Sequence, residues 1–326
     1  MLKKYAEKLA GMFGRCWQKA RNRLTISWPK LLIATTLALC VLYYPLGGLL
    51  NEKIDRGENL NLPAGESYSR SLQAITFLIN REVNDNIWTP NLPLFFPSYF
   101  LDNMPNFQTG LMSSLATSSS LLTTQINCPV EDKDIPQPAG AAKLLAYPGN
   151  VWLFAADNKL KIAPSSSSQY RKARKMWRQI DNALAANKCF WPKNDSALAE
   201  LVSGVAADLG KTAQSLEQQS FEGASDWVDY QADDVFYHAA GKTYGYWQFL
   251  SALAQDYKEI LVAKNLYAEW TQATNALANA NAVQPLWVRN GAPGSDFLPN
   301  HLITLAYYLQ KCENILIKIS LNLKGN

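Results

Sequence analysis

Histidine and cysteine are scarce in this chain. Two histidines, His238 and His301, leave little for a multi-histidine metal site, and five cysteines in 326 residues make no disulfide-dense scaffold. Charge is thin as well: 18% of residues are charged against 48% hydrophobic, which excludes a disordered or low-complexity chain. A global basic surface for nucleic acid is missing too. The net charge of +4 conceals a split, because residues 1–30 carry eight basic side chains and one acid, whereas residues 51–326 carry 23 basic and 26 acidic groups. Internal repeats at the spacing of helical solenoids or propellers are also lacking.

What is present begins with an uncharged run, LLIATTLALCVLYYPLGGLL, from Leu31 to Leu50. At ~1.5 Å rise per residue, a helix of this length spans the ~30 Å hydrocarbon core of a bilayer. Thr35 and Thr36 lie inside it, and Pro45, Gly47 and Gly48 should loosen its far end. Threonine hydroxyls can bond back to helix carbonyls, and Pro and Gly are tolerated in membrane helices. A cleaved secretory signal has a short basic region, an apolar stretch and a small-residue exit. Here the basic head is about thirty residues long, and Tyr43, Tyr44 and Pro45 end the run. An uncleaved signal anchor fits better. By the positive-inside rule, residues 1–30 are expected in the cytoplasm, 31–50 in the inner membrane and 51–326 in the periplasm of a two-membrane bacterium. Within the head, Leu2, Tyr5, Leu9, Met12, Phe13, Cys16 and Trp17 recur at helical spacing among lysines and arginines. That pattern suits a basic amphipathic helix on an anionic leaflet, or charges that only fix topology.

Past the anchor, residues 51–63 read as a polar stalk, followed by a helix that Ser67 can cap and that ends near Asn84–Asn86. Pro90, Pro93 and Pro97 then mark an irregular, aromatic-rich connector. Helices are expected at 98–103, 105–124, 169–187, 195–218, 230–279 with a break near Lys264–Asn265, and 299–323. Residues 151–163 are compatible with a β-hairpin. The expected fold class is all-α: one N-terminal transmembrane helix and an exported helical bundle, with at most that one hairpin.

Motifs that carry chemistry are incomplete. Gly204-Val-Ala-Ala-Asp-Leu-Gly210-Lys211-Thr212 has five residues between its glycines where a phosphate loop needs four, and lies in a helical run. Gly65-Glu-Ser67-Tyr-Ser69 lacks the second glycine of a nucleophile elbow. The most suggestive ionisable set is Asp226, Asp229, Asp233, Asp234 and His238. Asp229 with Asp233 and Asp234 with His238 are four apart and share helix faces. Acids at a helix start complement its dipole, the favoured reading; binding a metal is the sharper alternative, for which further ligands are lacking. Asp102, Asp233, Asp234 and His238 are the candidates for acid–base work. No cofactor is expected.

Cys128 and Cys189 lie in Pro-rich polar loops and are candidates to pair in an oxidising compartment, while Cys312 should be buried on the last helix. Trp88, Phe95, Phe96, Tyr99 and Phe100 crowd the connector, and Tyr244, Tyr246, Trp247 and Phe249 crowd one helix. Core packing is the favoured reading of both groups, a ligand platform the other.

Several strings carry a resemblance: Trp88-Thr-Pro-Asn91, Leu101-Asp-Asn-Met-Pro-Asn-Phe-Gln108, Gln169-Tyr-Arg171, Val288-Arg-Asn-Gly291 and Pro299-Asn-His-Leu302. Through them nearly the whole exported part and the anchor resemble the Domain of Unknown Function 2333 family. The resemblance implies an inner-membrane-anchored envelope protein with a helical exported domain, and no reaction. Asp102, Asn103, Asn106, Gln108, Asn290, Asn300 and His301 are polar groups beside loops and helix starts in these strings. They suit a structural hydrogen-bond knot or, if they converge, a polar binding pocket. The expected role is a non-enzymatic interaction or assembly module whose partners are the membrane and another envelope protein. An enzyme or binder acting on peptidoglycan or lipid is the alternative.

Overall fold

The computed structural model describes residues 28–58, 60, 62–63, 67–153, 162–223, 230–292 and 298–325. The basic head up to residue 27, Asp226, Asp229 and most of the proposed hairpin lie outside them. The fold is all-α, and among the described residues no sheet forms. Two isolated antiparallel bridges occur, Asn127 with Phe190 and Asn290 with Asn300.

Helix α1 runs unbroken from Trp28 to Asn51, through Pro45. Thr35 returns its hydroxyl to the carbonyl of Leu31 at 2.8 Å. The helix is apolar all round and largely uncovered, with Leu39 65% and Val41 71% exposed. Gly47 and Gly48 do not loosen its end. They receive a neighbour: Pro97 occupies the space where a Gly47 side chain would start, and Leu101 lies over Gly48.

Residues 51–63 are no stalk. Ile54, Leu60 and Leu62 pack against the core, Arg56 is half-buried, and the described part of this stretch lies against the bundle. The Gly57 carbonyl accepts from Tyr244 and Gln248, and the Arg56 carbonyl accepts from Asn281. The Arg56 guanidinium lies over the rings of Phe107 and Tyr237 and donates to the Val283 carbonyl, which fastens the segment further.

Helix α2 (Arg70–Asn80) starts at Ser69, not Ser67: the Ser69 hydroxyl accepts from the amide of Leu72 at 3.2 Å. The helix then widens into a π turn, Arg81–Asp85, and the expected helix at 98–103 is a 3₁₀ turn at Pro97–Phe100. Next come α3 (Asn103–Thr123), α4 (Pro138–Leu145), α5 (Ser166–Ala185) and α6 (Asp195–Glu222). They are followed by α7 (Tyr230–Asp256), α8 (Lys258–Ala263), α9 (Tyr267–Asn281) and α10 (His301–Lys324). The predicted break at Lys264–Asn265 is present, with Asn265 at φ 55°, and a second break falls at Tyr257.

Two helix pairs form the frame, α6 with α10 and α3 with α7. The first is antiparallel: Ser220 meets Asn300 at one end, and Ser320 meets Ala199 at the other. The second is parallel and very close. A side chain on Gly110 would strike the backbone carbonyl of His238, and one on Gly241 would strike that of Phe107. Glycines there let two backbones approach where larger residues would hold them apart. Tyr244, Tyr246 and Phe249 are core residues, as are Leu250, Leu309 and Leu316.

Candidate functional site

Asp102 ends the connector and caps α3, accepting from the amide of Asn103 at 2.9 Å. One turn on, Asn106 donates to the Asp102 carbonyl at 3.0 Å and to the Asp234 carboxylate at 2.6 Å. The first turns of α3 and α7 are thereby tied together. Asp233 is half-buried near Asp102 and Asp234. Burial, then the charges of Asp102 and Asp234, pushes its carboxyl up to about 6. Burial and Asp102 also raise Asp234, against the hydrogen bond from Asn106.

One turn along α7, His238 faces Thr109, with Nδ1 3.4 Å from the hydroxyl. The same hydroxyl lies within hydrogen-bond distance of the carbonyls of Pro105 and Asn106. Burial, helped by the nearby Lys242 ammonium, lowers the pKa of His238, and Asp208 opposes this. Lys242 itself pairs with Asp208 at 2.7 Å, and Asp208 also accepts from the Tyr246 hydroxyl at 2.5 Å.

These groups border a cleft of about 370 Å³ between α3, α6 and α7, lined by Asn106, Lys211, Ser215, Asp234, His238 and Lys242 among others. Of the acid–base candidates, Asp234 and His238 share its wall. Asp102 and Asp233 do not line it; the charge of Asp102 bears on both Asp233 and Asp234. The cleft thus offers a carboxylate, an imidazole, an exposed ammonium on Lys211 and a partnered one on Lys242. Such a set fits a polar ligand bearing both signs of charge. Among the described residues, no group of three or more His, Cys, Asp or Glu is placed to hold a metal ion.

The other candidate polar residues do not join this cleft. Gln108 is fully buried, accepting from the amide and hydroxyl of Thr89 and donating to Glu82 and the carbonyl of Ile87. It belongs to a buried chain that continues through Arg81, 2.8 Å from Glu82, to Tyr244 at 2.9 Å. The π turn supplies both Arg81 and Glu82. The Asn103 Oδ1 atom is buried without a hydrogen-bond partner among the described residues.

Asn290, Asn300 and His301 form a second knot near the end of α6. Asn300 donates to Ser220 at 2.7 Å, to Asn290 Oδ1 at 3.0 Å and to the Gly291 carbonyl at 2.7 Å. Its own Oδ1 caps α10 through the amide of Ile303, and His301 Nδ1 accepts from the Arg289 amide. The strings Val288–Gly291 and Pro299–Leu302 are therefore two halves of one lock. Residues 205–324 match the family model for an uncharacterized protein conserved in bacteria, DUF2333. That match runs from the middle of α6 to the end of α10 and contains the lock, Lys211, Asp234 and His238. The strings at Trp88, Leu101 and Gln169 lie outside the DUF2333 match. No curated protein and no solved structure matches the chain.

In the part before the DUF2333 match, the quoted strings hold segments together. Trp88 donates to the Gly149 carbonyl, Asn91 to that of Val151, Tyr170 to that of Tyr147, and Arg171 to that of Val83. Cys128 and Cys189 are joined by a disulfide between the chain leaving α3 and the chain leaving α5. Cys312 is buried on α10, and burial pushes its thiol up.

One cluster had no signal in the sequence. The N-terminus of α2 is held by two carboxylates from distant helices. Asp181 accepts from the amide of Ser69, and Asp256 accepts from the amides of Arg70 and Ser71 and from the hydroxyls of Ser69 and Ser71. Lys193 lies 3.4 Å from Asp256.

Proposed function

We propose that this is a single-pass inner-membrane protein of the bacterial envelope, with residues 1–30 cytoplasmic and the helical domain from Asn51 onward periplasmic. There the domain acts as an interaction or assembly module. One observation carries the reading: a 24-residue helix, uncharged from Leu31 to Leu50, whose apolar surface the rest of the fold leaves bare except at its last turns. In water that surface is a strong liability; in lipid it is at rest. The basic head before it supports the orientation, and the Cys128–Cys189 disulfide suits an oxidising compartment.

The module reading rests on the cleft's chemistry. Its imidazole touches a hydroxyl that also reaches backbone carbonyls, and its carboxylate is tied to Asn106. Those are holding groups. A photo-crosslinking residue at Lys211, on the cleft rim, in intact cells should yield one discrete adduct to a protein. A domain that gives no adduct from Lys211 or from the exposed Trp287 counts against the module.

A second reading, a binder of or enzyme on envelope material such as peptidoglycan or lipid, is favoured by the convergence of Asp234 and His238 on one cleft. Calorimetry with soluble peptidoglycan fragments decides for it if heat is released by the native chain and lost in Asp234→Ala.

A further inference from the structure

The connector between α2 and α3 enters the bundle through Trp88, Thr89 and Asn91, and its later part, from Leu94 to Leu101, is bound to the end of α1. Tyr43 donates its hydroxyl to the carbonyl of Phe95 and Tyr44 to that of Leu94, both at 2.9 Å. The Tyr44 ring meets Phe100 edge-on at 4.8 Å, and Pro97 sits against Gly47. Counted along the helix, Tyr43 and Gly48 lie about 10 Å and about 3 Å short of Leu50 at the end of the apolar run. The connector is therefore level with the outer part of that run, beside it.

Its surface is apolar and uncovered. Phe95 is 61% and Phe100 64% exposed, Leu94 and Tyr99 are exposed beside them, and Trp152 meets Phe95 edge-on at 5.8 Å. From Trp88 to Leu101 there is no charged residue. The backbone is prepared for a poorly hydrating medium. Pro90, Pro93 and Pro97 have no N–H to satisfy, and the amides of Leu92, Phe96, Tyr99 and Leu101 donate to carbonyls within the connector. The two tyrosines of α1 occupy the carbonyls of Leu94 and Phe95. Meeting backbone groups in this way lowers the cost of setting irregular chain against the interfacial layer.

We propose that Leu94, Phe95, Tyr99, Phe100 and Trp152 form a membrane-seated collar that lies in the interfacial layer of the leaflet where α1 emerges. Its occupant is lipid of that leaflet, because the exposed aromatic surface continues the lipid-facing surface of α1 without a polar gap. Aromatic rings favour this layer, and apolar groups of surface-bound segments enter it by roughly 5–10 Å, the depth the connector occupies along α1. The collar fixes the domain against the bilayer instead of letting it swing, with the α3–α7 entrance and its cleft near the lipid surface. The proposal rests on α1 spanning the membrane.

The test uses the full chain in lipid nanodiscs, with Cys16→Ser and Cys40→Ser so that, beside the bridged Cys128 and Cys189 and the buried Cys312, one introduced cysteine carries a polarity-sensitive dye. Phe95→Cys and Phe100→Cys report on the collar, Leu37→Cys on α1, and Val262→Cys on α8 beyond the far end of α7. Dyes at 95 and 100 should emit blue-shifted and lose emission to lipids brominated near the headgroup; the dye at 37 should lose it to lipids brominated near the chain ends, and the dye at 262 to neither. Quenching at 37 with positions 95 and 100 as unaffected as 262 overturns the collar and leaves the anchor standing. No quenching at 37 overturns the anchor and the collar with it.

Discussion

Gly110 of α3 lies directly against the backbone carbonyl of His238 on α7, with no room for a Cβ between them. That contact sets how α7 seats on α3, and so sets the spacing of Asn106, Asp234 and His238 around the cleft. Gly110→Val forces the two backbones apart, and we expect it to cost about 1–3 kcal/mol in urea denaturation. At Gly204 a Cβ would meet only the side chain of Leu121, which can move. Gly204→Ala should therefore cost less than Gly110→Ala in the same assay.

Asp233 predicts a pH dependence. Its folded pKa of about 6 lies above the ordinary carboxylate value of 3.8, so the folded state holds this proton more tightly than the unfolded state. Stability should therefore fall as pH rises from about 4 to about 6, then level off. Asp233→Asn should remove that slope and stabilise the protein above pH 6 by about 1 kcal/mol, a figure discounted for the side chain's partial exposure. Thermal melts of both proteins across this range check it.

The two carboxylates at the start of α2 should differ from the exposed cap of α3. Asp256→Ala leaves the amides of Arg70 and Ser71 and the Lys193 ammonium without their acceptor. Breaking a buried charged arrangement from one side costs about 3–5 kcal/mol. Asp102→Ala removes one exposed capping bond, worth about 1 kcal/mol. Denaturant midpoints of the two variants should separate accordingly.

The Cys128–Cys189 bridge closes a loop with a sequence separation of 61. Chain-entropy arguments give such a cross-link about 4 kcal/mol through the unfolded state. Cys128→Ser with Cys189→Ser should lower the melting temperature, and reductant should lower that of the native chain while leaving the double variant unchanged.

Much of the architecture was legible because helices are local. The apolar run and the long helices α5, α6 and α10 follow from periodicity and caps that lie within a few residues of each other. What escaped depends on contacts across the chain. Ser67 is the cap the sequence suggests, and Ser69 takes that place because Asp181 and Asp256 arrive from α5 and α7 to hold it and its neighbours. Residues 51–63 look polar, yet Ile54, Leu60, Leu62 and the guanidinium of Arg56 tie the described part of them to the bundle. The pairing of Asp234 with His238 on one face was readable from their spacing; that Asn106 and Lys211 would face them was not, because the cleft takes its walls from three helices. Gln108 and Asn300 look alike in sequence, and the structure places them in separate knots.

Sidedness of the helical domain decides most plainly whether α1 carries it across a membrane. In bacterial cells, a reporter enzyme that works only after export, fused to the C-terminus, should be active, and a fluorescent reporter that matures only in the cytosol should stay dark at the same position. An inactive export reporter together with a bright cytosolic one would overturn the anchor reading, because the domain would then have remained on the side of the basic head.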